Sequence, residues 1–221
     1  MRSLMTNFLL RLPHVLLFHV TGSGRPTFAC SCLKSSMGKW KLVGIAGVTC
    51  GGKTTLAEML KKTIKNCIVI KQDEYFYDEN SDHHVIIPEL QHANWECLSS
   101  INWKELEARV KELLNEEPKD DYSTIIIDGH LIFNYEPLEK LFHKKFFLTL
   151  SKEECWERRR VRVYNPPDPP GYFDICVWPM YLKNKQEMAE KVNDIVYLNG
   201  SEDKNELFKK VIKEFNSIIS F

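Results

Sequence analysis

The stretch "GIAGVTCGGKTTL", Gly44 to Leu56, lies between an apolar run, "KWKLV", and the start of a helical pattern, "AEMLKK". Gly47 to Thr54 match G-x-x-x-x-G-K-[ST], with Val48, Thr49, Cys50 and Gly51 ahead of Gly52, Lys53 and Thr54. Glycines let backbone N–H groups curl around phosphate oxygens, and a helix opening near Lys53 turns its positive end toward them. Lys53 would reach the outer phosphates of a nucleotide, and the Thr54 hydroxyl would ligate magnesium. The motif needs a strand before it and a helix after it; this sequence supplies both, which a merely glycine-rich turn would not require.

Outward from the loop, strand and helix patterns alternate. "KLVGIA" reads as a buried parallel strand, and Leu56, Met59, Leu60 and Ile64 share a helical face after it. "CIVIKQ" is a second strand, followed by a polar loop containing several histidines. Asn102 stands three residues ahead of Glu105 as a helix-start signal, and Leu106, Val110, Leu113 and Leu114 form the stripe. "NEEPKDDYS" is a turn, "TIIIDG" a third strand and "KKFFLTL" a fourth. Ser151 and Glu154 form a capping box for the next helix. "NPPDPPGYFD" reads as loop throughout, because its prolines break helix and central strand alike. "DIVYLNG" is the fifth strand, and Leu207, Phe208, Val211, Ile212, Phe215, Ile218 and Ile219 line a last helix. Such alternation predicts an α/β fold: a five-stranded parallel sheet with helices on both faces.

With 221 residues, 43% of them hydrophobic, the chain is long enough for one substantial core. Its 30 basic and 30 acidic residues cancel, so it offers no general attraction for nucleic acid or an anionic membrane. The charge is uneven, since seven basic and no acidic residues precede Glu58. Seven scattered cysteines fit reduced thiols rather than a disulfide framework, and neither they nor the histidines show zinc-finger spacing. Residues 1–36 contain "FLLRLPHVLLFHV", too short and too interrupted to span a bilayer. We read them as an N-terminal extension, either disordered or translated from too early a start codon, with a targeting presequence as the alternative.

Three further features carry chemistry. Asp128 closes the apolar run "TIIID", where a carboxylate in phosphate-loop proteins orients the magnesium shell. The bland reading is a strand-end acid capping a turn. Asp73 follows the second strand, so it should meet Asp128 and the loop at the sheet's carboxyl edge, where ligands bind. A carboxylate there can take the proton from an acceptor hydroxyl as phosphate is transferred. We assign catalysis to Lys53 and Asp73, and magnesium to Thr54 and Asp128. In "ERRRVRVY", Arg158 and Arg162 stand four apart on one helical face, with Arg159 and Arg160 beside them, ahead of a proline-rich hinge. This suits an arginine-rich lid over about 152–174 that neutralises phosphate charge; a solvated basic face is the plainer account.

"GVTCGGKTTLA", "IKQDEYF", "IIIDGHLIFNYEPL" and above all "RVYNPPDPPGYFDICVWPMYLKNKQEM" resemble the nicotinamide riboside kinases, within the uridine-kinase-like nucleoside kinases. The resemblance covers about residues 38–216, with no counterpart for 1–36, so 37–221 is read as the kinase domain. It implies a P-loop kinase fold, ATP and Mg2+ with Asp73 as base and magnesium-shell ligand, and phosphorylation of the ribose 5′-hydroxyl of nicotinamide riboside to the mononucleotide that feeds NAD synthesis. It places ATP against Gly47–Thr55, Arg158, Arg162, Tyr164 and the segment Glu202, Asp203 and Lys204 beside Ser201. It places the nucleoside against Asp73, Glu74, Tyr75, Phe76, Trp95, Glu96, Arg159, Tyr164 and Asn165. Trp95 would stack on the cationic nicotinamide ring, and Glu96 would accept from the ribose 2′- and 3′-hydroxyls. The family has Asp at the Glu96 position and close relatives have Glu at the Asp128 position. These exchanges keep the charge, and bear on substrate preference and rate rather than on reaction type. The extra methylene of Glu96 moves its carboxylate by roughly 1.5 Å. A uridine/cytidine kinase and a catalytically weak nucleotide-binding partner protein remain alternatives. Expected besides are a small-molecule substrate, a monomer, and a cytoplasmic location, or a mitochondrial one if residues 1–36 are a presequence.

Overall fold

In the computed structural model, which describes residues 40–118 and 123–219, the five apolar runs pair as one parallel sheet. The extension 1–36 and the middle of the turn before the third apolar run lie outside the described residues. The strands are β1 (Trp40–Gly47), β2 (Cys67–Lys71), β3 (Ile86–Ile87), β4 (His92–Ala93), β5 (Ser123–Asp128), β6 (Lys144–Thr149) and β7 (Ile195–Asn199). The main sheet has the order β2-β5-β1-β6-β7, while β3 and β4 form a small antiparallel pair inside the segment read as a loop. The helices are α1 (Lys53–Thr63), α2 (Trp103–Asn115), α3 (Glu136–Glu139), α4 (Lys152–Arg159), α5 (Trp178–Lys191) and α6 (Lys204–Ile219).

Alternation along the strands divides the core into two layers. Val43, Ile45, Ile126, Phe146 and Leu148 face α1 and α6, meeting Leu56, Ala57, Leu60, Leu207, Val211 and Phe215. Leu42, Ala46, Ile125, Ile127 and Phe147 face the other way, onto Leu106, Val110 and Leu113 of α2 and Tyr181 and Met188 of α5. Each buried leucine or phenylalanine contributes roughly 1.5–3 kcal/mol, so both layers are needed to hold the sheet. In α1 the buried stripe runs through Ala57 rather than Met59, which is only half-buried.

The caps follow the sequence closely. Asn102 Oδ1 accepts from the Glu105 backbone N–H at 3.2 Å, and Ser151 and Glu154 form a reciprocal capping box. Two expectations fail. First, α4 ends at Arg159, so Arg162 lies beyond the helix rather than one turn along its face. The next apolar residues, Val161 and Val163, are 72% and 97% exposed, leaving no buried stripe to continue the helix. Second, the proline-rich loop is shorter than expected, because Phe173 and Asp174 already belong to a π-helical turn, Phe173–Val177, that runs into α5. Neither α5 nor the single-turn α3 was anticipated.

Register brings the carboxyl ends of the strands together. Asp128 stands opposite Ile45 of β1 and Lys71 of β2, and Gly47 stands opposite Leu148 of β6. Gly47 has φ +131°, and a Cβ there would sit 2.1 Å from the Leu148 carbonyl oxygen. Only glycine lets β1 turn into the phosphate loop so close to β6. Among the described residues no helix is long and apolar enough to cross a membrane.

Candidate active site

The loop after β1 curls back on itself: Val48 N–H donates to the Leu148 carbonyl at 3.0 Å, and Gly51 N–H to the Val48 carbonyl at 3.2 Å. Lys53 Nζ donates to the Val48 carbonyl at 2.9 Å, so the cation sits within the loop's own turn. Behind it, Thr54 Oγ1 donates to Asp128 Oδ2 at 2.5 Å. Asp128 is buried, and burial pushes its carboxyl above the ordinary range against the opposing pull of Lys53 and the Thr54 hydrogen bond; the charge of Asp73 pushes it the same way as burial. The two acids therefore stand near one another at the sheet edge.

A cavity of about 800 Å³ opens along this edge. Its walls include Thr49, Cys50, Gly52, Lys53, Thr54 and Thr55 of the phosphate loop and helix start, together with Asp73, Phe76, Trp95 and Glu96. Trp95 meets Phe76 edge-on, ring centroids 5.3 Å apart, and a tilted His84 ring at 4.3 Å. Its backbone N–H donates to the Tyr172 hydroxyl at 3.1 Å. The lid supplies Arg158, Arg159, Arg162, Tyr164 and Asn165 to the same cavity.

The arginines have distinct surroundings. Arg158 Nη1 donates to the carbonyls of Cys50 at 3.3 Å and Gly200 at 3.0 Å, linking lid, loop and the end of β7. Arg162 Nη1 lies 3.6 Å from Cys50 Sγ, and its guanidinium is 5.2 Å from the Tyr164 ring centre. Arg159 is 6% exposed, bound bidentately to Asp168, and donates to Thr49 Oγ1 at 3.0 Å. Its guanidinium lies 4.3 Å above the Tyr164 ring.

Not every expected residue faces the cavity. Gly47, Val48, Gly51 and Asp128 do not line it; Gly47 and Val48 line a narrow adjoining pocket with Thr49, Glu96 and His130, and Asp128 binds the Thr54 hydroxyl. Glu74 and Tyr75 are off it, with Tyr75 packed against the α2-side core. Glu202 pairs with Lys210, and Asp203 Oδ1 caps α6 by accepting from Asn205 N–H at 2.8 Å; neither these two nor Lys204 lines the cavity. Conversely, Tyr77, Glu79, His130, Pro166, Asp168 and Tyr172 line it without having been singled out. Asp168 had one local signal, an acid between two proline pairs just beyond an arginine cluster.

A solved structure of thymidylate kinase from Candida albicans superposes with a TM-score of 0.51 at 17% identity, covering 81% of this chain and 93% of that one. A family model described as an AAA domain matches residues 43–179. Together with the loop geometry they define the class: this is a protein of the P-loop kinase fold. Mouse nicotinamide riboside kinase 1 is 42% identical over 183 residues, covering 78% of this chain and 92% of the relative. Human nicotinamide riboside kinase 2 is 36% identical over 193 residues, covering 81% and 83%. The chain belongs to the nicotinamide riboside kinase family.

Proposed function

We propose that the protein transfers the γ-phosphoryl group of ATP to the ribose 5′-hydroxyl of nicotinamide riboside, giving nicotinamide mononucleotide and ADP. The observation that carries this reading is a single cavity running from the phosphate loop to Trp95 and Glu96, with Asp73 on its wall. The loop takes the triphosphate. Trp95 offers a π face to the pyridinium ring and Glu96 an acceptor to the ribose hydroxyls.

In the reaction the Asp73 carboxylate takes the proton of the 5′-hydroxyl as that oxygen bonds to the γ-phosphorus. The bond from phosphorus to the β–γ bridging oxygen breaks, and its electron pair leaves with ADP. Lys53 and Arg162 place positive charge beside the phosphates as negative charge shifts to the leaving oxygen. Arg158 keeps the lid on the loop through two backbone carbonyls.

A magnesium ion fits the residues present. Thr54 spends its proton on Asp128, which leaves the hydroxyl lone pairs free. Thr54 and Asp73 would present oxygen, the donor a hard divalent cation prefers, with Asp128 orienting the Thr54 hydroxyl from behind. Bound there, the ion neutralises phosphate charge.

ADP release measured with nicotinamide riboside and with uridine tests the assignment. Rapid nicotinamide mononucleotide formation is expected, with uridine the poorer acceptor. Higher kcat/KM on uridine would assign the cavity to a pyrimidine nucleoside, and ATP binding without product from either would make the protein a binding module.

A further inference from the structure

Beside Glu96 stands a buried hydrogen-bond donor with no partner. Gln72, 0% exposed, accepts from the Leu131 backbone N–H through Oε1 at 2.9 Å. The other end of its amide, Nε2, therefore faces His130 Nδ1 at 3.0 Å. An amide nitrogen only donates, so Nδ1 is the acceptor and the neutral ring carries its proton on Nε2. Turning the amide over would set two donors against each other at Leu131. Gly129 makes this close fit available, since a Cβ there would lie 2.5 Å from both Gln72 Cβ and Oε1.

His130 Nε2 is buried and hydrogen-bonds to nothing. The Glu96 carboxylate oxygen Oε2 is 3.5 Å away, too long for a well-formed hydrogen bond, and with a neutral ring the contact is no ion pair. Nor is Glu96 free to close the gap by shifting its backbone. Its N–H donates to Asn94 Oδ1 at 2.9 Å, and its carbonyl accepts from Asn184 Nδ2 at 3.0 Å. Both His130 and Glu96 line the cavity. An unpaired buried donor is costly unless a ligand satisfies it.

A hydroxyl group resolves the geometry. Its oxygen can sit about 2.8 Å from both atoms of a pair spaced this way, donating a hydrogen bond to one and accepting one from the other. We propose that His130 and Glu96 together read one sugar hydroxyl of the acceptor, Glu96 Oε2 accepting a hydrogen bond from it and His130 Nε2–H donating one to its oxygen. This rests on the reading that Glu96 faces the ribose, and it adds a specificity residue, His130, placed by Gln72.

Kinetics with nicotinamide riboside and its 2′-deoxy and 3′-deoxy analogues test the proposal. The wild-type enzyme should lose about 10²-fold or more in kcat/KM on the analogue lacking the shared hydroxyl, because donor and acceptor are both left unpaired. His130→Phe keeps a ring but no donor. It should raise the nucleoside KM roughly tenfold, leave the ATP KM alone, and reduce discrimination against that analogue by about the same factor. His130→Gln, which carries an amide N–H near the Nε2 position, should recover part of the loss. If the wild type turns over both deoxy analogues as well as the riboside, the ribose reading of Glu96 fails. If the wild type discriminates and His130→Phe discriminates equally, that reading stands and the shared hydroxyl is overturned. Nitrogen-15 NMR of the unmodified protein gives an answer without any variant. The Nε2–H tautomer of His130 is expected, and the Nδ1–H tautomer would overturn the proposal.

Discussion

Arg159 and Asp168 lock the lid to itself: Nε meets Oδ2 at 2.8 Å and Nη2 meets Oδ1 at 3.1 Å, with Arg159 Nη1 continuing to Thr49 in the phosphate loop. Three of its five N–H donors are committed to Asp168 and Thr49, so it organises the lid while also lining the cavity. The planar fork matters, because Lys offers no bidentate geometry and cannot spread flat over Tyr164.

Asp168→Ala should therefore destabilise the fold by leaving that cation unpaired. Breaking a fully buried pair costs about 3–5 kcal/mol. Because the Asp168 side chain is 27% exposed, about 2 kcal/mol is expected, or roughly 4–8 °C in Tm. Arg159→Lys should not restore the lost stability. Thermal denaturation of both variants decides; an unchanged Tm for Asp168→Ala would mean that solvent already screens the pair.

Asp73→Asn should leave ATP affinity nearly intact and lower kcat by about 10²-fold or more, the usual scale for loss of a general base. Asp73 is exposed on the cavity wall while its neighbour Gln72 is wholly buried, so the substitution removes charge without disturbing the core. Nucleotide titration and single-turnover phosphoryl transfer measure the two effects separately. Normal turnover would take Asp73 out of the mechanism.

The sheet was legible because parallel strands buried on both faces read as continuous apolar runs, and "TIIID" and "KLVGIA" have few other fates. The phosphate loop was legible because gripping phosphate fixes the glycines, the lysine and the hydroxyl residue at set spacings. α5 was not, since its buried residues Tyr181 and Met188 are seven apart amid lysines, and the helix follows a proline-rich segment. Its packing partners come from the sheet, which local pattern does not carry. The same applies within the cavity: Tyr172 acts on the backbone of Trp95, 77 residues away, and His130 takes its tautomer from Gln72, 58 residues away. Sequence spacing finds a site built from one loop and misses partners that only topology brings together.

Cys50 should be the most readily alkylated of the described cysteines. Burial alone would push its thiol up, but contacts with Arg162, Tyr164 and Thr49 outweigh it and hold the thiol below its ordinary range. Cys67, Cys155 and Cys176 are pushed up to about 12, chiefly by burial. As pH falls toward neutral, the thiolate should persist at Cys50 after the others have lost it. Iodoacetamide labelling followed by peptide mass mapping checks the order, and ATP should protect Cys50 because it lines the cavity as part of the phosphate loop. Faster labelling of Cys155 or Cys176 would contradict the assignment.

Trp95 and Glu96 are adjacent in sequence but should fail in different ways. Trp95 is fixed by Phe76, His84 and the Tyr172 hydroxyl, so its ring needs no reorganisation to meet a ligand. If it stacks on the pyridinium ring, Trp95→Ala removes a desolvated cation–π contact of about 2 kcal/mol, roughly thirtyfold in nicotinamide riboside affinity. Uridine, whose base is neutral, should lose less, and ATP should lose nothing because Trp95 is held among Phe76, His84 and Tyr172 rather than by phosphate-loop residues. Glu96→Gln should weaken both nucleosides together, since both present the same ribose hydroxyls to the carboxylate. Steady-state kinetics of the two variants with both acceptors resolve the patterns. If Trp95→Ala leaves nicotinamide riboside kinetics unchanged, or weakens ATP equally, the acceptor lies elsewhere in the cavity.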